Sequence, residues 1–175
     1  MSVIFLDIDG VLNSDSYFDD RKEEISKFNH ENFQTHNIFA TNETGKLVEW
    51  GLLRIDPFEV ELIKKLSEVT KSSIVLISSW SELSFYEDII DRLKDLGLPI
   101  IGYVDGSTTY RDFGINEYIN RNSHMDSYVI VDGGSGIEYS NIDKVVITDS
   151  DNGLTISDCE YIKAILDRKI RRIKW

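Results

Sequence analysis

The chain has 175 residues, 41% of them hydrophobic and 29% charged, with a formal net charge of −12. That is enough chain for one ordinary globular domain with its own core, and so acidic a balance argues against a broad electrostatic surface for duplex nucleic acid. No run approaches the ~18 apolar residues of a membrane-crossing helix, no basic stretch precedes the apolar residues 3–6 as in a secretory signal, and one cysteine, Cys159, excludes an intrachain disulfide. A cytoplasmic protein with no membrane contact is the simplest expectation.

The first element is Val3-Ile-Phe-Leu-Asp7-Ile-Asp9-Gly10-Val-Leu-Asn13. Its apolar run has the length of a buried strand and ends in two carboxylates one residue apart. Side chains alternate along a strand, so the expectation is that Asp7 and Asp9 leave its end on the same side. Two carboxylates there resist ionising together unless they share a cation or a proton. A bound Mg²⁺ meets that need and leaves a carboxylate oxygen available as a nucleophile. The plain alternative is a strand running into an ordinary Asp/Gly turn.

Residues 14–56 break the rhythm that follows. They are polar, with scattered aromatics (Tyr17, Phe18, Phe28, Phe33, Phe39, Trp50), and are too long for a plain connection. The expectation is a small insert after the first strand, a flap or cap arching over the site; the plain alternative is that its hydrophobic residues are ordinary packing.

From Asp56 the pattern is regular. Asp56 is an N-cap and Pro57 a first-turn residue, and Val60, Leu62, Ile63, Leu66 and Val69 give a helix its apolar face. Ile74–Ile77 reads as a strand ending in Ser78-Ser79-Trp80. A helix over about 82–96 ends at Gly97, and Pro99–Val104 is a third strand. A helix covers about 114–122, strands follow at Tyr128–Val131 and Lys144–Ile147, and a last helix starts with Ser157 as cap. Asp149-Ser-Asp151-Asn-Gly153 reads as a turn before that helix and departs from calcium-loop spacing. Arg168, Lys169, Arg171, Arg172 and Lys174 suit the dipole at a helix end or, alternatively, a phosphate-binding tail. Cys159 reads as a packing residue. Alternating strands and helices imply an α/β fold: a Rossmann-like, mainly parallel sheet with helices on both faces. Such sheets place their sites at the carboxyl ends of strands.

Two of those ends carry further candidates. A hydroxyl after the 74–77 strand, on Ser78 or Ser79, can bond a phosphoryl oxygen without adding charge. Asp132, after Tyr128–Val131, can add a third oxygen ligand for Mg²⁺ beside Asp7 and the Asp9 backbone carbonyl.

Motif for motif, this chain resembles the haloacid dehalogenase (HAD) superfamily of phosphotransferases. The order Asp-x-Asp-Gly-Val-Leu-Asn, Ser-Ser-Trp, a basic helix start, strand-Asp, then Thr148-Asp149…Gly153-Leu154-Thr155 before a helix is similar to the small phosphatase-like domains of Swiss-army-knife RNA repair proteins. The likeness spans almost everything outside 14–56, so 1–175 is expected to be a single HAD-like domain. The resemblance implies Asp7 as nucleophile, Asp9 as general acid and base, Ser78 or Ser79 on the phosphoryl oxygens, and a basic residue at a helix start. Arg111 fills that last place, with Arg121 second and a surface pair with Asp112 as the plain alternative. It also implies Mg²⁺ held by Asp7, Asp9 and Asp132. One departure stands out: relatives carry a second acid directly after the Asp132 position, and here Gly133, Gly134, Ser135 and Gly136 follow. On charge alone, Gly133→Asp is expected to tighten metal binding; the alternative is steric, since an aspartate would strain the loop if Gly133 has positive φ.

The function expected is Mg²⁺-dependent hydrolysis of a phosphomonoester through an aspartyl-phosphate. The substrate would be a phosphorylated small molecule, a nucleotide or a nucleic-acid end. The alternative is a catalytically weak module of the same fold that binds or regulates, for which the acid missing at 133 is the motive.

Overall fold

A computed structural model of the protein describes residues 1–33, 43–104, 106, 110–134 and 136–167. The basic cluster at 168–174 therefore lies outside the described residues. Five strands form one parallel sheet: β1 (Ser2–Leu6), β2 (Ser72–Leu76), β3 (Ile100–Tyr103), β4 (Ser127–Asp132) and β5 (Val145–Ile147), in the order β3-β2-β1-β4-β5. The described helices are α1 (Asp15–Asn32), α2 (Thr44–Leu53), α3 (Pro57–Thr70), α4 (Tyr86–Asp95), α5 (Arg111–Arg121) and α6 (Ile156–Asp167). Among the described residues no helix is long and apolar enough to cross a membrane.

The sheet sorts its side chains by parity. Ile4, Leu6, Ile74, Leu76, Val129 and Val131 pack in one cluster with residues from α2, α3, α4 and α6. Val3, Phe5, Val75, Ile77, Tyr128 and Ile130 pack on the other face with Ile115, Tyr118 and Ile119 of α5 and with Met125. This is why the strands read as continuous apolar runs: both faces are covered. Val3, Ile4, Phe5 and Leu6 are all fully buried, each worth roughly 1.5–3 kcal/mol of transfer free energy.

β1 lies in the middle, with Leu6 level with both Leu76 and Val131. The chain goes to one side of β1 for β2 and β3, and to the other for β4 and β5. The crevice between β1 and β4 is therefore the switch point where open parallel sheets bind their ligands.

Several boundaries differ from expectation, each for a local reason. The described part of the 14–56 segment holds two helices. α1 buries little beyond Ile25, so it shows no apolar stripe; Ser14 caps it by accepting from the Tyr17 N–H at 3.3 Å. The helix expected from Glu82 starts at Tyr86, because Ser78 caps a 3₁₀ turn over Ser79–Glu82 first. α5 begins at Arg111, a turn before Gly114. α6 is capped by Thr155, not Ser157: its hydroxyl accepts from the Asp158 N–H at 3.2 Å while Asp158 accepts from the Thr155 N–H at 2.9 Å, a reciprocal capping box. Asp56 caps α3 as expected, accepting from the Phe58 N–H at 2.7 Å.

One buried acid in α3 has a consequence for stability. Glu59 is 2% exposed, and its Oε2 finds no hydrogen-bond partner among the described residues. It lies against Ser14 and Gly153, where a Cβ on the glycine would come within 1.7 Å of Oε1. Burial, then the nearby Asp56 charge, pushes its carboxyl from 4.5 up to about 8. An acid whose pKa rises on folding contributes fully below its unfolded value and loses that contribution as pH climbs through the folded one. Stability is therefore expected to fall between pH 4.5 and 8, by an amount on the order of 3 kcal/mol. Glu59→Gln, neutral and nearly isosteric, should flatten that slope. Urea denaturation of both proteins at pH 5 and pH 9 checks it.

Candidate active site

The strand ends bring the sequence candidates to one place. β1 stops at Leu6; beyond it the Asp7 N–H donates to Val131 C=O and the Ile77 N–H to Leu6 C=O, each at 2.9 Å. Asp7 therefore sits between the ends of β2 and β4. The chain then turns: the N–H groups of Val11 and Leu12 return to Ile8 C=O, and Gly10 takes φ +70°.

That turn gives the two acids different partners. The alternation argument holds only while the chain is a strand, and Asp9 lies past its end. The Asp7 carboxylate points at Arg111 and Asp132, whereas the Asp9 carboxylate is held by Trp80 and Asn13. Trp80 Nε1 donates to Asp9 Oδ1 at 3.0 Å and to Oδ2 at 2.9 Å, and Asn13 Nδ2 donates to Oδ1 at 2.8 Å. Asn13 Oδ1 in turn accepts from the Gly10 N–H at 2.9 Å, so the last residue of the motif fixes both its turn and its second acid.

Asp7 is 2% exposed. Its Oδ1 accepts from the Ile8 N–H at 2.7 Å and its Oδ2 from Arg111 Nη1 at 2.7 Å. Burial is the largest influence on this carboxyl and lifts it to about 6, against the pull of Arg111 and with a further push from Asp132.

Arg111 is not a surface residue. It is 2% exposed, and the same Nη1 that meets Asp7 also donates to Asp132 Oδ2. Its Nε and Nη2 donate to Gly106 C=O at 3.0 and 2.9 Å. Burial works against its charge, but the Asp7 and Asp132 carboxylates outweigh burial, and the guanidinium holds its proton more firmly than usual. Asp112, the alternative partner, instead accepts from Ser140 and Asn116. Arg121 lies at the exposed end of α5, paired with Glu117 at 2.6 Å.

Asp132 ends β4 and is 1% exposed. Its Oδ1 accepts from the Gly134 N–H at 2.8 Å, and its Oδ2 also accepts from Tyr139 OH at 2.5 Å. Thr148, after β5, ties this end to the first motif: its hydroxyl donates to Gly10 C=O at 2.6 Å and its N–H to Asp132 C=O at 2.9 Å. Ser78 is fully buried at the end of β2, its hydroxyl accepting from the Trp80 N–H at 3.3 Å; Ser79 is half-buried in the turn it starts.

The glycine at 133 now has a steric cause. A Cβ there would come within 2.0 Å of the Asp9 carbonyl oxygen and 2.8 Å of Gly10 Cα. Two backbones meet at this point, so the charge argument for an acid at 133 gives way to sterics. Gly133→Asp is expected to push the Asp9 turn aside and to destabilise the protein by at least about 1–3 kcal/mol, the range for overpacking. A fall in the midpoint of thermal unfolding, without tighter Mg²⁺ binding, is the result to look for.

The residues present suit a hard cation. Asp7 and Asp132 are buried carboxylates that converge on one positive group, and the Asp9 carbonyl lies along the edge of the same crevice. Oxygen donors of that kind are what Mg²⁺ takes. The position between the carboxylates is filled by Arg111 Nη1, and among the described residues no three acid, histidine or cysteine side chains form a metal-ready group. Asp149 and Asp151 belong to the turn expected before the last helix, in which Asp149 accepts from the Asp151 N–H at 3.1 Å and from Asn152 Nδ2 at 2.7 Å. Cys159 packs against the core, and burial pushes its thiol up to about 11, as befits a packing residue.

Sequence reasoning gave no role to Asn13, Gly106, Tyr139 or Thr148. Asn13 was visible as part of the first motif. Thr148 was visible as the start of the Thr148-Asp149…Gly153-Leu154-Thr155 stretch; Gly106 and Tyr139 are brought to the site by loops, and no local pattern marks them.

Residues 3–159 match the family described as the HAD domain in Swiss Army Knife RNA repair proteins. Comparisons with curated proteins and with solved structures give no match. The match covers most of the chain, and the parallel sheet agrees with it: this protein belongs to that HAD family. The family is of the HAD hydrolase type.

Proposed function

We propose that this HAD domain is a phosphomonoester hydrolase that works through an aspartyl-phosphate on Asp7, with a nucleotide or a nucleic-acid terminal phosphate as its substrate. The observation that carries this reading is the pair of buried carboxylates at the ends of adjacent strands, Asp7 and Asp132, bridged by Arg111, with a third, separately held carboxylate, Asp9, two residues after Asp7.

The steps follow from those residues. An Asp7 oxygen attacks phosphorus, and the bond from phosphorus to the leaving alcohol breaks. Asp9 gives that alcohol its proton. Asp9, now ionised, takes a proton from water; the hydroxide attacks phosphorus and the acyl-phosphate bond breaks, which returns Asp7 and releases phosphate. Ser78 and the Arg111 guanidinium face the phosphoryl oxygens. Mg²⁺, held by Asp7, Asp132 and the Asp9 carbonyl, would offset charge on the phosphoryl group. The 14–56 segment serves as a small cap, a reading supported by Trp50 of α2 lying against Trp80. The nucleic-acid part of the proposal rests on the family's association with RNA repair. An acidic chain suits a site that takes an end better than one that tracks a duplex.

One observation favours a second reading, a module that binds and turns over poorly: Arg111 already neutralises the two carboxylates. A panel of phosphorylated metabolites, nucleotides and 3′- or 5′-phosphorylated oligonucleotides, assayed with Mg²⁺ beside Asp7→Asn, separates the two. Phosphate release that depends on Asp7 supports hydrolysis. Binding of the same compounds without release supports the module.

A further inference from the structure

Trp80 is in direct contact with Asp9, and the steps above do not use it. It is 6% exposed and its indole N–H is shared between the two Asp9 oxygens. An indole N–H donates and never accepts. It therefore binds the carboxylate without competing for the transferable proton. It occupies the side between the two oxygens, and Asn13 occupies a lone pair of Oδ1. A proton on Asp9 is thereby directed to the outer side of Oδ2.

The indole is itself held. The Trp50 ring of α2 stacks on it with centroids 6.5 Å apart and planes 23° from parallel. Arg54 covers Trp50 at 4.9 Å. Gly51, one helical residue on, leaves the room Trp80 needs: a Cβ there would lie 3.3 Å from the indole and 2.8 Å from Ile89 Cδ1.

We infer that Trp80 is a positioning residue for Asp9, fixing which oxygen delivers and takes the proton, and that α2 of the inserted segment clamps it through Trp50. The inference rests on the acid/base role proposed for Asp9, and its tests separate the two.

The first test reads the contact without activity. The sequence has three tryptophans, and Trp50→Phe and Trp175→Phe assign two of the indole N–H resonances, leaving that of Trp80. Asp9→Asn should move the Trp80 resonance. An unmoved Trp80 resonance overturns the inference.

The second test is kinetic. Trp80→Phe keeps a ring and removes the N–H. Its kcat should fall roughly 10- to 100-fold on an alkyl phosphate, the scale of a misplaced catalytic group. On an aryl phosphate, whose leaving group needs less proton help, the fall should be smaller, with KM nearly unchanged on both. Asp9→Asn should show the same leaving-group bias more strongly. Equal losses on both substrates, or a change in KM alone, would mark Trp80 as a packing residue and sink the inference. If Trp80→Phe does not fold, the resonance test still decides. If the wild type shows no Asp7-dependent hydrolysis, the hydrolase reading fails, whatever the indole resonance does.

Discussion

Asp7→Asn should lower phosphate release by about 10⁴- to 10⁶-fold, the scale seen when a catalytic nucleophile is removed. The amide is close to the carboxylate in size, so the loss is chemical. An amide oxygen is a poor nucleophile and cannot form the acyl-phosphate. The fold should survive. Asp7 is bonded to the sheet through its backbone, its N–H donating to Val131 C=O at 2.9 Å, and that bond is indifferent to the side chain. The substitution also removes a buried charge that burial already disfavours. Arg111 keeps Asp132 as a partner. The expectation is an unchanged circular dichroism spectrum and a thermal midpoint within a few degrees of wild type, with activity gone. Wild-type activity in the variant would end the mechanism; a collapsed fold would call for Asp7→Ser.

What the sequence made legible, and what it hid, divides along physical lines. Strands buried on both faces announce themselves, so Val3–Leu6 and Tyr128–Val131 were readable to within a residue of β1 and β4. The acids at their ends were readable too, because a carboxylate after an apolar run is conspicuous. The inserted helices were not: α1 buries little beyond Ile25, and a helix without a buried stripe has no period to find. The direction of each side chain was also hidden. Asp9 lies past the strand, which stops at Leu6, and the partners that hold it, Trp80 and Asn13, are reached across the sheet and around a turn. The glycine at 133 looked like a missing acid. The cause lies in contact between two backbones distant in sequence, which no local pattern encodes. Arg111 was found through the resemblance, but its burial and its double pairing come only from the fold.

That double pairing leads to the second large effect. Arg111 is the cation that Asp7 and Asp132 share, and all three side chains are almost fully buried. Removing one partner of a buried ionic group leaves uncompensated charge, at a cost of roughly 3–5 kcal/mol. Arg111→Met keeps an unbranched apolar stem while deleting the charge and the bonds to Gly106 C=O. It should unfold at distinctly lower urea than wild type. The carboxylates it abandons are oxygen donors facing one another across the position that Nη1 fills, so a divalent cation should recover part of the lost stability. Mg²⁺ or Mn²⁺ at millimolar concentration is expected to raise the unfolding midpoint of Arg111→Met more than that of wild type, because a ligand that binds the folded state stabilises it by mass action. In wild type the same ion must first displace the guanidinium. Double variants give the control. In Arg111→Met with Asp132→Asn, one of the two acids is neutral, the instability should shrink, and the metal response should shrink with it. If cations stabilise the single and double variants equally, they act elsewhere on this acidic chain, and Asp7 and Asp132 are not the metal ligands.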